Sequence, residues 1–342
     1  MSKQKREVIY DYIRVLSCIF VIGIHSTENL YINSIFRIGL PMFILLSGVL
    51  ILNGKEEPVS EFYFKRFLKV VVPLYFYSII YLFIYKYNCD LKIFMPINFF
   101  KELANITKGY VHYHLWYAYM IIGIYIFAPY LRKMCNSLKD KDCKNLLILI
   151  FIISFIKYTL PEFNINIGIS DLAFSGCGLI FLLGYLVTKP VINKHYKTLY
   201  ILGIISFNIN IFIKTLFPHV ENLYDVSVTM MLQVMALFIF LYRNKDKICS
   251  NKTINKVIIH ISKYTWELFL IHVIVLDILK QYILKLNIPT AISTTILILL
   301  VAIISYFYSV IIHNFITKPI QTIIEKLYIT IKKNVAKILK KI

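Results

Sequence analysis

Apolar residues in this chain come in long runs separated by short polar and charged segments. Ten runs stand out, over residues 9–30, 35–53, 70–87, 114–131, 146–160, 172–188, 199–217, 225–242, 266–285 and 291–316. Most approach the ~20 residues a helix needs to cross ~30 Å of hydrocarbon. They are apolar on every face, whereas a membrane barrel strand alternates over segments of ~10 residues. The pattern predicts an all-α polytopic membrane protein with about ten transmembrane helices. The fifth run is the weakest, being short and followed by the polar stretch Pro161–Asp171.

After Pro319 the spacing changes. Ile320, Ile323, Ile324, Leu327, Ile331, Val335 and Ile338 recur at helical intervals with lysines between them. This predicts an amphipathic helix on the inner leaflet, as a surface anchor or as a partner-binding helix. With no long internal repeat or low-complexity linker, one membrane domain is expected over 1–316. A basic, amphipathic cytoplasmic tail is expected over 317–342.

Composition excludes the two soluble domains that 342 residues would permit, because hydrophobic residues make up 58% and charged residues 16%. In a soluble protein the net charge of +20 would suggest nucleic acid. Here 28 of the 38 Lys and Arg fall in alternate inter-span segments and the tail, against nine in the others. That asymmetry places both termini in the cytoplasm, with the polybasic flanks held by anionic membrane lipid rather than nucleic acid. Lys3, Lys5 and Arg6 before an apolar run imitate a signal peptide. The run carries Asp11, Arg14 and His25 and has no small-residue cleavage site, so it is expected to stay as the first span. The six cysteines show neither CxxC nor Cys/His metal spacing. Cys18 and Cys177 lie inside apolar runs, so neither a disulfide framework nor a metal site is expected.

Ionisable residues inside spans are costly and point to function. On the first helix Arg14 and His25 are eleven residues apart, about 20° on the helical wheel, with Cys18 and Asp11 each within about 40° of one of them. The four form one stripe, and Arg14 and His25 are separated by roughly 16 Å of helix rise. Arg14 falls near the inner leaflet, where an arginine can hold phosphates, and His25 in the outer half, where a histidine can act as general base. The plainer reading pairs Asp11 with Arg14 as helix glue and satisfies His25 on a neighbour. Ser47 and Gly48 reach the inner third of span two, while Lys65, Arg66 and Lys69 sit at the inner mouth of span three. These basic residues serve as a topology signal or as a phosphate site level with Arg14. His112, His114 and Trp116 open span four on the outer side, as an interfacial belt or as an acceptor site beside His25. In span nine Thr265 and His272 share a face, with His272 near mid-membrane as a packing residue or a third catalytic candidate beside His25 and Arg14. Glu267 is expected to face the interface or another helix. His195, His219, His260 and His313 receive no role.

The ordered set of segments resembles the integral-membrane acyltransferase 3 family over nearly the whole chain. The resemblance rests on Arg14 followed by His25, FILLSG in span two and KRFLKVVVPLY entering span three. It continues with HLWYAYMIIGIYIFAPYLR, FLLGYLV and SKYTWELFLIH in spans four, six and nine. Thr265 stands where a serine is common, and Leu40–Pro41–Met42 replace a more polar stretch.

The resemblance implies an O-acetyltransferase of the stand-alone branch in the plasma membrane. Such an enzyme moves an acetyl or other short acyl group from cytoplasmic acetyl-CoA, a co-substrate, to a hydroxyl of a cell-surface glycan or lipid-linked sugar. On that reading the CoA phosphates rest on Arg14, Lys65, Arg66 and Lys69 beside Ser47. His25 takes the acceptor's proton, or His25, a tyrosine or a serine carries the acyl group covalently. A transporter or flippase for a lipid-linked sugar is the competing class, since intramembrane Arg and His also mark substrate paths. The chain lacks the paired repeat halves common in transporters. A non-catalytic sensor module is the third.

Overall fold

The computed structural model describes residues 7–339 apart from 28, 166, 168–175, 218–225, 284 and 287. Lys3, Lys5, Arg6, Asp171, His219 and the first residues of the sixth apolar run lie outside the described residues, as does the side chain of Ile338. The described chain is helical without a strand. In order the helices are α1 (Ile9–Ser26), α2 (Leu30–Phe36), α3 (Gly39–Leu52), α4 (Val59–Arg66), α5 (Val72–Tyr81), α6 (Pro96–Lys108), α7 (Trp116–Ser137) and α8 (Asp140–Ser154). They continue with α9 (Cys177–Leu186), α10 (Pro190–Asn193), α11 (Tyr196–Leu216), α12 (Val228–Arg243), α13 (Lys245–Ile248), α14 (Lys252–Ser262), α15 (Thr265–Ile283), α16 (Thr290–Ile312) and α17 (Lys318–Leu339). Single π-turns join α4 to α5 (Phe67–Val71) and α16 to α17 (His313–Thr317).

Every one of the ten apolar runs contains a helix. Seven helical stretches are long and apolar enough to cross a membrane: Ile9–Ser26, Leu30–Leu52, Val59–Lys86, Tyr113–Ser137, Asp140–Phe163, Tyr196–Leu216 and Thr290–Val335. The other three are α9 and α12, which are shorter, and α15, which carries Glu267, Asp277 and Lys280. Helix α9, most of α12 and α15 as far as Leu276 are buried among neighbouring helices, which tolerates their shortness and Glu267. Asp277 and Lys280 fall in the more exposed last turns of α15. Two boundaries move by more than ten residues. The third helix begins at Val59 rather than residue 70, so Lys65 and Arg66 are helical, and the last continues through the π-turn into the tail.

Helix α1 packs against α3, α14, α15 and α16, which makes its polar stripe a seam inside the bundle. Helices α3 and α9 cross at a pair of glycines. A Cβ on Gly48 would overlap the Phe181 carbonyl, and one on Gly184 the Leu45 carbonyl. Without a hydrophobic drive between helices in lipid, such small residues let backbones approach and pack. The crossing holds α3 so that Phe43, Ser47 and Leu50 face a cavity at the end of the bundle where α1 begins. That end is called inner below, and the opposite one outer, after the topology expected from the Lys and Arg distribution.

Candidate active site

All four residues of the α1 stripe meet the α14–α15 segment. Asp11, only 3% exposed, accepts a hydrogen bond from Ser262 Oγ at 2.5 Å and lies 3.6 Å from Arg14 Nη1. Arg14 Nη1 also donates to Ser262 Oγ at 3.1 Å. One turn on, Cys18 Sγ approaches the Thr265 carbonyl at 3.8 Å, and further out the His25 ring centroid is 5.5 Å from that of His272. At the helix break between Ser262 and Thr265, the Ser262 hydroxyl bridges Asp11 and Arg14, donating to the first and accepting from the second. The geometry shows the pairing of Asp11 with Arg14 and brings all four stripe residues to one seam.

At the inner end the seam opens into a cavity of about 510 Å³. Arg14, Ser47, Arg66 and Lys69 line it, bringing together four of the five residues expected to hold a donor. Lys65 is not among the lining residues. Its Nζ is 2.5 Å from Glu57 Oε2 on the exposed side of α4, because helical spacing turns it away from the face that Arg66 presents. The Arg66 guanidinium lies between two rings, 5.1 Å from the Phe62 centroid and 5.2 Å from that of Tyr125. Two lining residues, Arg66 and Trp266, carry buried donors, Nε and Nε1, with no hydrogen-bond partner among the described residues. Buried donors left unmade are costly, and an anionic or carbonyl-bearing ligand would satisfy them. A second cavity of about 620 Å³ shares Arg14 and Leu50 with the first and is bordered by Tyr10, Asn53 and Tyr242. Arg14 thus stands at the junction of two inner cavities.

Sequence reasoning missed part of this wall. His313 Nδ1 is 2.7 Å from Glu267 Oε1, and both residues line the first cavity, so Glu267 meets another helix while also facing the site. An acid within a span was the available signal for Glu267; His313 gave none, since it stood at a span end. Lys69 and His313 both sit on π-turns, which leave irregular backbone and often mark functional sites.

In the outer half the rings of His25, His272, His114 and His112 follow one another. Successive centroids are 5.5, 5.2 and 5.3 Å apart. His272 is fully buried and donates Nδ1–H to the Phe269 carbonyl at 2.6 Å, which leaves its Nε2 as a lone pair without a partner among the described residues. His114 Nε2 faces the Tyr81 hydroxyl at 3.2 Å and the Leu270 carbonyl at 3.4 Å. A carbonyl only accepts, so a proton on Nε2 suits both oxygens and leaves Nδ1 to accept from His112 Nδ1–H at 3.1 Å. Tyr85 lies tilted against His112, centroids 4.9 Å apart, and donates to Asp277 Oδ2 at 2.5 Å. Tyr81, Tyr85 and Asp277 escaped notice in the sequence; Asp277, an acid within a span, carried the clearest signal. Trp116 stands apart from the histidines. It is 37% exposed and its ring neighbour is Tyr117, because the first turn of α7 points it outward. Among the described residues no group of three or more His, Cys, Asp or Glu is placed to hold a metal ion.

One aromatic layer separates the two levels. Phe269 lines the inner cavity, yet its ring is 5.7 Å from His272 and 5.8 Å from His114. Tyr117, 5.1 Å from Phe269, and Trp266, stacked at 5.7 Å, complete the layer. A cationic cavity and a buried histidine chain are joined by one helix through the all-α bundle of a polytopic membrane protein. The model of the acyltransferase domain matches residues 8–313, so the chain belongs to the acyltransferase 3 family and is a membrane acyltransferase. No curated protein and no solved structure matches it.

Proposed function

We propose that the enzyme transfers an acetyl or other short acyl group from cytoplasmic acyl-CoA to a hydroxyl of a cell-surface glycan or lipid-linked sugar. The observation that carries this reading is the α1 seam, which links the cationic cavity at Arg14 to the histidine chain at His25 with only the Phe269 layer between. The CoA phosphates rest on Arg14, Arg66 and Lys69, and the pantetheine arm passes Ser47 and Trp266 toward Phe269. The acceptor docks from outside against His112 and His114, with Trp116 set apart from that site. Both termini lie in the cytoplasm of a plasma-membrane protein, as the Lys and Arg distribution favours.

In the reaction His25 removes the acceptor hydroxyl proton while that oxygen bonds to the thioester carbon. Collapse of the tetrahedral intermediate breaks the C–S bond, and the CoA thiolate leaves with the proton returned from the imidazolium. His272 holds the His25 ring in place and offers Nε2 as a further proton acceptor. The test uses purified enzyme in proteoliposomes with labelled acetyl-CoA, and cells scored for surface O-acetyl esters. His25→Gln should lose about 10²–10⁴ in transfer while CoA binding persists. Near-normal transfer by that variant would make His25 structural and shift the base to His272.

A further inference from the structure

The C-terminal helix forms part of the inner cavity wall, through Gln321. Its attachment begins with a backbone defect in the preceding span. At the π-turn Phe67–Val71 the Val72 N–H bonds to the Phe67 carbonyl, five residues back. The same register would offer Leu68 the N–H of residue 73, but that residue is Pro73 and has none. Gln321 fills the gap, its Nε2 donating to the Leu68 carbonyl at 2.9 Å. Two further contacts continue along the same face of α17. Tyr328 stacks on Phe64 with centroids 3.8 Å apart, and Lys332 Nζ is 3.0 Å from Glu61 Oε1. Gln321, Tyr328 and Lys332 lie within about 40° of one another on the helical wheel. They clamp α17 onto the segment that carries Arg66 and Lys69.

A different face of α17 is uncovered. Ile320, Ile323, Leu327, Ile331 and Val335 are exposed, forming an apolar stripe roughly a quarter-turn from the docking face. Lys318, Lys326, Lys332 and Lys333 accompany it against the single acid Glu325. We propose that this stripe binds the anionic surface of the membrane leaflet at the inner end of the bundle, and that this binding seats Gln321 and tightens the donor site. The occupant is a lipid surface because α17 grows directly from the last apolar helix, so the leaflet is continuous with it. Its charge is anionic because the flanking charge is basic. The effect on the donor rests on reading the inner cavity as the acyl-CoA site; the seating of the helix does not.

The full chain is tested in nanodiscs of phosphatidylcholine alone and of phosphatidylcholine with phosphatidylglycerol. CoA affinity and hydrogen exchange of the amides at 68–72 are read together. Anionic lipid should tighten CoA by at least about fivefold and slow exchange at 68–72. The pair Leu327→Asp with Ile331→Asp should abolish both responses, and Gln321→Ala should weaken CoA and speed exchange in either lipid. Equal exchange and equal CoA affinity in the two lipids would overturn the proposal. Should the unaltered chain bind no CoA in either lipid, the donor reading fails, and the exchange data alone still decide whether lipid seats the helix.

Discussion

Phe269 touches both levels of the site, and replacing it with alanine should disconnect donor protection from transfer. The ring is buried and packs on Tyr117, Trp266, His114 and His272. Removing a buried phenylalanine costs about 3–5 kcal/mol. Of this about 1.5–3 kcal/mol is lost transfer energy, leaving roughly 2 kcal/mol for the void. At about 24 cal/mol per Å³ that is a void of about 80 Å³, room for two or three waters at about 30 Å³ each. The void would join the cavity of about 510 Å³ to the histidine chain and place water where the acceptor hydroxyl should be. Acyl-CoA hydrolysis without acceptor should therefore rise in Phe269→Ala while transfer to acceptor falls. The assay is free thiol release from acetyl-CoA in acceptor-free proteoliposomes, with thermal unfolding run in parallel. Phe269→Leu, which keeps most of the bulk, should retain stability and show a smaller rise. A well-folded Phe269→Ala enzyme with unchanged hydrolysis would refute the layer as a barrier.

Arg14→Lys should weaken CoA binding yet exceed Arg14→Ala, because a point charge survives while the planar fork bridging ligand and Ser262 does not; equal binding by all three in a calorimeter would move the phosphates elsewhere. Gly184→Ala should destabilise the bundle by about 1–3 kcal/mol, since the new Cβ would sit 2.6 Å from Val49 N and 2.8 Å from Gly48 Cα. An unchanged melting profile would show that α3 and α9 part freely. Cysteine labelling in intact cells should modify the exposed Cys89 from outside, whereas a single cysteine at Lys333 should react after permeabilisation alone; strong outside labelling at 333 would invert the orientation and the proposed mechanism with it.

The architecture was legible along the chain because a membrane imposes its requirements locally. Each run had to be apolar and helical by itself, so all ten runs contain helices, even where α9 and α12 are short and α15 is charged. The α1 stripe was legible for a similar reason. Helix periodicity alone places Asp11, Arg14, Cys18 and His25 on one face, and the packed bundle gives that face a single set of neighbours, Ser262, Thr265 and His272. The two short motifs FILLSG and FLLGYLV had no visible relation in sequence, yet their glycines form one helix crossing.

What one helix's periodicity could not supply was which faces of different helices meet. Lys65 and Arg66 are neighbours in sequence, but only Arg66 lines the cavity, because about 100° of helix separates them. Glu267 and His313 are 46 residues apart and become a pair through the packing of α15 against the end of α16. Gln321 looked like one polar residue in a lysine-rich tail. Its role arises where a proline leaves a carbonyl unpaired on a helix more than 200 residues earlier, a vacancy that tertiary packing alone brings within reach. Sequence determined which segments are helical and which of their faces are polar, since both are local consequences of solvent and periodicity. Tertiary structure decided which polar faces share a cavity, because that depends on interhelical contacts no single segment encodes.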